Sequence, residues 1–125
     1  MKLELTINEQ KQFREILEYF LQIKTKLWKR FVELLPQINS IYLRLNQNKL
    51  ILTEAEQLAL IEFLEFFLYS PLPNCNLTES SYFETAETIL FKKLKHHRFN
   101  LISLQFEVFN DEQNRFESIE NYFTK

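Results

Sequence analysis

Between Phe13 and Leu35 the main apolar residues are Phe13, Ile16, Leu17, Phe20, Leu21, Leu27, Trp28, Phe31, Leu34 and Leu35. This three-and-four spacing puts side chains on one face of a helix. Thr6 and Glu9 precede the run at the spacing of a capping box, with Asn8 as a competing N-cap. The pattern predicts one long helix over residues 8–35, broken or kinked at Pro36, which lacks an N–H and crowds the preceding turn. Beyond it, Ile38, Ile41, Tyr42 and Leu45 keep helical spacing while Ile41, Leu43 and Leu45 also alternate as a strand would. Helix is the preferred reading, up to the stop at Asn46-Gln47-Asn48.

Thr53 and Glu56 form a second capping box, and residues 54–69, EAEQLALIEFLEFFLY, leave a narrow polar stripe of Glu54, Gln57, Glu62 and Glu65. A helix apolar around most of its circumference belongs at the centre of the fold or in an oligomer interface. Residues 70–81 read as a loop, marked by Pro71, Pro73, Asn74 and Asn76. A helix over 79–97 follows, with Tyr82, Phe83, Ala86, Ile89, Leu90 and Leu94 on its apolar face and Lys92, Lys93 and Lys95 at the end where positive charge offsets the dipole. From Ile102 to Val108 apolar and polar residues alternate as in a half-buried strand, yet Phe99, Ile102, Phe106 and Phe109 also fit a helix. Asn110 with Gln113 caps an expected last helix over 111–123.

Residues 2–21, KLELTINEQKQFREILEYFL, align without gaps to 49–68, KLILTEAEQLALIEFLEFFL, with eleven of twenty positions identical. Residues 106–123 echo the pattern more weakly. Either the segment is duplicated, or codon bias, a capping box and an amphipathic helix select the same residues twice. The second explanation is favoured, because the likeness stops at Leu68 and does not span a whole repeat unit. Extended segments before the helices leave room for a small sheet.

Composition changes this picture in two respects. There is no glycine, which removes the usual supplier of positive-φ turns and phosphate-cradling loops, and there are 13 phenylalanines. Part of this bias is what AT-rich codons would produce. At 125 residues, 46% hydrophobic and 26% charged, the chain has the balance of one globular domain, 1–125. The net charge of −2 announces no polyanionic partner, but 24–30 and 92–98 are basic while 54–65 and the C-terminal part are acidic. The acidic start, MKLELTINEQ, is unlike a secretion leader, and the apolar stretch Leu58–Tyr69 is too short to span a bilayer. A cytoplasmic protein without membrane association is expected.

Glycine-dependent chemistry is excluded: no P-loop, dinucleotide fingerprint or nucleophile elbow occurs. His96 and His97 are adjacent and point apart, a poor start for a metal site, and Cys75 has no visible activating partner. Glu62 and Glu65 share a face but lack the Glu-x-x-His pattern of a di-metal bundle, so they read as the solvent stripe. No cofactor, metal or catalytic residue is expected. Two binding surfaces are candidates. One is an apolar patch of Phe63, Phe66, Phe67, Tyr69 and Leu72, suited to a protein partner or a homodimer. The other is a basic patch of Lys24, Lys26, Lys29, Arg30, Lys92, Lys93, Lys95 and Arg98, with Trp28 interleaved, suited to nucleic acid.

The expected fold is mainly α, a compact bundle of four to five helices with one long N-terminal helix. The expected function is that of a non-enzymatic protein–protein interaction module, a small regulator or inhibitor of bacterial or phage origin. A small nucleic-acid-associated protein is the alternative.

Overall fold

The computed structural model describes residues 1–23, 29–47, 49–70 and 75–124. Its first part is two strand–helix–helix units in tandem. Strand β1 (Lys2–Glu4) leads into α1 (Ile7–Gln22) and α2 (Lys29–Leu43); β2 (Lys49–Ile51) leads into α3 (Glu54–Tyr69), α4 (Ser80–Glu87) and a π-helical turn over Thr88–Lys93. A three-stranded antiparallel meander follows, β3 (Arg98–Asn100), β4 (Gln105–Asn110) and β5 (Arg115–Ser118), with a short α5 (Ile119–Phe123) behind it. The fold is thus mainly α, with five α-helices and two small antiparallel sheets among the described residues.

Helices α1 and α3 each pack against both α2 and α4, so the four form a ring with α1 and α3 on one diagonal. The centre is aromatic. Phe20 meets Phe63 edge-on at 4.7 Å between ring centroids, Phe31 meets Phe63 at 5.2 Å, and Phe67 stacks on Phe83 at 5.2 Å. Fully burying each such ring stabilises the fold by about 2–3 kcal/mol, and Phe13, Phe20 and Phe63 are completely covered.

The two units sit in equivalent places. β1 and β2 pair antiparallel so that Leu3 lies opposite Leu50, its own counterpart in the sequence alignment, which puts a local two-fold axis between them. The capping boxes match in detail. Glu9 N–H donates to Thr6 Oγ1 (3.2 Å) while Thr6 N–H donates to Glu9 Oε1 (2.9 Å); at Thr53 and Glu56 the distances are 3.1 and 2.9 Å. Equivalence extends past Leu68. At the end of α2, Arg44 donates to the Ile51 carbonyl and to Glu56; at the end of the π turn, Lys93 donates to the Glu4 carbonyl and to Glu9. Glu4 and Ile51 are counterparts, as are Glu9 and Glu56. Each unit therefore closes on the capping carboxylate of the other.

These cations act on the carboxyl pKa values. Burial opposes ionisation of Glu56, but the Thr53 N–H and Arg44 outweigh it and hold the group below the ordinary value. Glu9 is likewise held low by Lys93 and the Thr6 N–H against its burial.

Several expected boundaries are corrected. The helix expected over 8–35 ends at Gln22, where the Ile23 cap has left helical geometry, and α2 begins at Lys29; residues 24–28 lie outside the described ones. Pro36 sits inside α2 rather than ending a helix. Both Pro36 and Val32 are exposed, so water can serve the carbonyl that proline leaves without a donor. Residues 38–43 are helical. The helix expected over 79–97 widens after Glu87 and stops before Lys95, which takes the left-handed conformation (φ 57°) that glycine would usually supply. Asn110 caps a hairpin turn rather than a helix over 111–123, most of which is turn and strand.

Candidate functional site

The meander contains two hairpins with turns of the same construction. In the first, Asn100 Oδ1 accepts the N–H groups of Ile102 (2.9 Å) and Ser103 (3.3 Å), and the fourth turn residue, Leu104, has φ 55°. In the second, Asn110 Oδ1 accepts those of Glu112 (2.9 Å) and Gln113 (3.2 Å), and the fourth turn residue, Asn114, has φ 50°. Asparagine is suited to both tasks, because its side chain bonds to nearby backbone and it tolerates positive φ. Side chains separate the two turns. The second is Asp111-Glu112-Gln113-Asn114; the first is Leu101-Ile102-Ser103-Leu104.

Leu101, Ile102 and Leu104 are 79%, 97% and 70% exposed. Below them Phe99 and Phe106 face each other across β3 and β4 at 5.1 Å and are each about half exposed. The pair makes a ridge between two grooves. One, of about 520 Å³, runs between the end of α3 and the hairpin, lined by Glu65, Tyr69, Phe91, His96, Phe99 and Leu101 among others. The other, of about 410 Å³, is bordered by Leu104, Phe106, Ile119 and Glu120.

Polar groups stand at the rim. His96 Nε2 lies 3.2 Å from Glu65 Oε1, and the His97 ring stacks on that of His96 at 5.1 Å, so the two imidazoles lie together rather than pointing apart as their adjacency in the sequence suggested. Arg98 donates to Glu107 at 3.3 Å and lies over the Phe116 ring. Partial burial first, then Glu87 and Glu65, hold the Tyr69 phenol above its usual pKa, so it remains a neutral hydrogen-bonding group.

Of the apolar patch expected from sequence, Phe63 and Phe67 are core and cannot face a partner, Phe66 is half-buried against Phe20 and Phe31, and Tyr69 is exposed. Leu72 lies outside the described residues. The apolar circumference of α3 is largely covered by α1, α2 and α4 of the same chain, so that helix does not supply a broad contact surface.

The basic patch is largely engaged. Lys93 holds Glu9 (2.7 Å), Lys95 holds Asp111 (2.6 Å), Arg30 holds Glu62 (2.8 Å), and Lys92 and Lys95 both lie over the Phe109 ring. Lys29 is exposed, and Lys24 and Lys26 lie outside the described residues, as does Trp28. Glu62 and Glu65, read from sequence as a solvent stripe, each have a basic partner. Cys75 is half-buried with a free thiol. Among the described residues no three potential metal ligands converge, and no helix is long and apolar enough to cross a membrane.

Sequence reasoning missed Leu101, Ile102 and Leu104. The signal was present: a turn-forming Asn100 followed by large apolar residues where Asp, Asn and Gly are usual. Compared with known proteins, the chain matches no family model, no curated protein and no solved structure.

Proposed function

We propose that this protein is a non-enzymatic module that works by protein–protein contact, and that the contact surface is the β3–β4 hairpin tip with its Phe99–Phe106 ridge. The observation that carries this reading is the pair of turns. Asp-Glu-Gln-Asn forms the second turn with polar side chains, so the first needs no apolar residue for its backbone. Leu104 moreover occupies a positive-φ position that disfavours a leucine by about 1–2 kcal/mol. Exposed side chains that the local fold does not require, one of them at a strained backbone position, fit a surface kept for something outside the chain.

A nucleic-acid role draws less support, since Lys93, Lys95, Arg98 and Arg30 each already have an acidic partner. The test is a photo-crosslinking residue placed at Ile102 or, as a matched control on the other turn, at Gln113, in the native cell. Protein adducts concentrated at position 102 are expected. Equal adducts at both positions, or none at 102, would overturn the reading.

A further inference from the structure

We infer that the partner of the tip is a second copy of this chain, the two joined about a two-fold axis with the Leu101–Ile102 finger of each seated in the α3–hairpin groove of the other. The inference rests on the tip being a contact surface and adds what it contacts.

Three observations carry it. The first is shape. One patch holds both a protruding finger, with Ile102 at its most exposed point and Leu101 beside it, and a partly apolar groove of about 520 Å³ whose lining includes Tyr69, Phe91, Phe99 and the near side of Leu101. A patch with its own knob and hole is self-complementary, which is what an isologous two-fold contact requires.

Area is the second. Tyr69, Phe99, Leu101, Ile102, Leu104 and Phe106 average about two-thirds exposed. With large side chains presenting ~150–250 Å² each, together they offer on the order of 800 Å². Were all of it covered, that would be comparable to the roughly 800 Å² per partner of a standard stable interface.

The third is charge. In and beside the α3–hairpin groove, His96 is paired with Glu65 and Arg98 with Glu107, so the groove is close to balanced in charge. A patch without a large charge of one sign does not repel its own copy, and a net charge of −2 opposes pairing only weakly.

The geometry makes an unusual demand on mixtures. Ile102→Glu spoils the finger and leaves the groove, while Tyr69→Glu spoils the groove and leaves the finger. Each variant alone has both finger–groove pairs damaged. Mixed one to one, the intact finger of the Tyr69→Glu chain meets the intact groove of the Ile102→Glu chain, restoring one pair. Sedimentation equilibrium of the full chain should show a wild-type dimer, each variant dissociating at least tenfold more readily, and a mixture that dimerises better than either. Ile102→Ser serves the same purpose should the carboxylate disturb folding, and circular dichroism checks every variant.

A wild-type protein monomeric up to about 100 μM, well above the dissociation constants usual for interfaces of standard size, would overturn the dimer. So would a mixture no better than its components. If the wild type is monomeric while crosslinks from position 102 reach a different protein, the dimer fails and the contact surface stands. If position 102 crosslinks to nothing, both fail.

Discussion

The two hairpin turns of the C-terminal sheet separate what a fold needs from what it carries. Both begin at an asparagine whose side chain accepts two backbone N–H groups, and both end at a residue with φ near 50°. In one, exposed positions hold Asp, Glu, Gln and Asn, each compatible with water or with the backbone bend. In the other they hold two leucines and an isoleucine that contribute little to the core beneath them. With backbone constraints equal, the proposed contact surface accounts for the difference by what the side chains meet outside the chain.

Exchanging the tips gives the largest effect. Replacing Leu101-Ile102-Ser103-Leu104 by Asp-Glu-Gln-Asn should abolish association, because an unpaired carboxylate buried in a contact costs several kcal/mol, while unfolding by urea stays unchanged or shifts to higher concentration. Loss of the fold would instead show that the apolar tip is structural. Next come the asparagines. Asn100→Ala and Asn110→Ala each remove an acceptor for two N–H groups and should cost ~1–2 kcal/mol in denaturant titrations, Asn100→Ala the more because its amide also donates to Glu107 (3.1 Å); no cost at either position would mean that the side chain does not hold its turn.

Leu104→Asn should stabilise the chain by about 0.5–1 kcal/mol and weaken association, whereas Asn114→Leu should destabilise it by a similar amount and leave association alone. A Leu104→Asn protein that is no more stable would remove the argument from backbone strain. Acid should separate the helical body from both turns. Glu9 and Glu56 have folded-state pKa values below their ordinary 4.5, so their stabilisation is present above that pH and is lost as pH falls through the lowered values. Melting temperature should fall below about pH 4.5, and Glu56→Gln should flatten that fall.

Much of the helical body was legible in the sequence. Thr6–Glu9 and Thr53–Glu56 mark the starts of α1 and α3 because a capping box is a local device, complete within four residues. The 2–21 and 49–68 likeness looked too short for a repeat, yet Leu3 pairs with Leu50 and the Arg44 and Lys93 contacts carry the equivalence into segments where sequence identity is lost. Geometry there is held by one cation reaching one carboxylate, which leaves most other positions free to differ. The apolar girth of α3 suggested an interface, but periodicity cannot say whether a neighbouring helix or a second molecule covers a face. The C-terminal part was least legible. Phe99, Ile102, Phe106 and Phe109 fitted helical spacing while Ile102 to Val108 alternated as a strand, because the apolar residues of 101–104 are placed for exposure, not for a core.

The most direct test is sedimentation equilibrium of the wild-type and tip-exchanged chains side by side, with circular dichroism confirming that both are folded. The wild type should sediment at twice 15.3 kDa and the tip-exchanged chain as a monomer with the same spectrum. Equal masses for the two folded proteins would contradict the tip's role in joining copies of the chain.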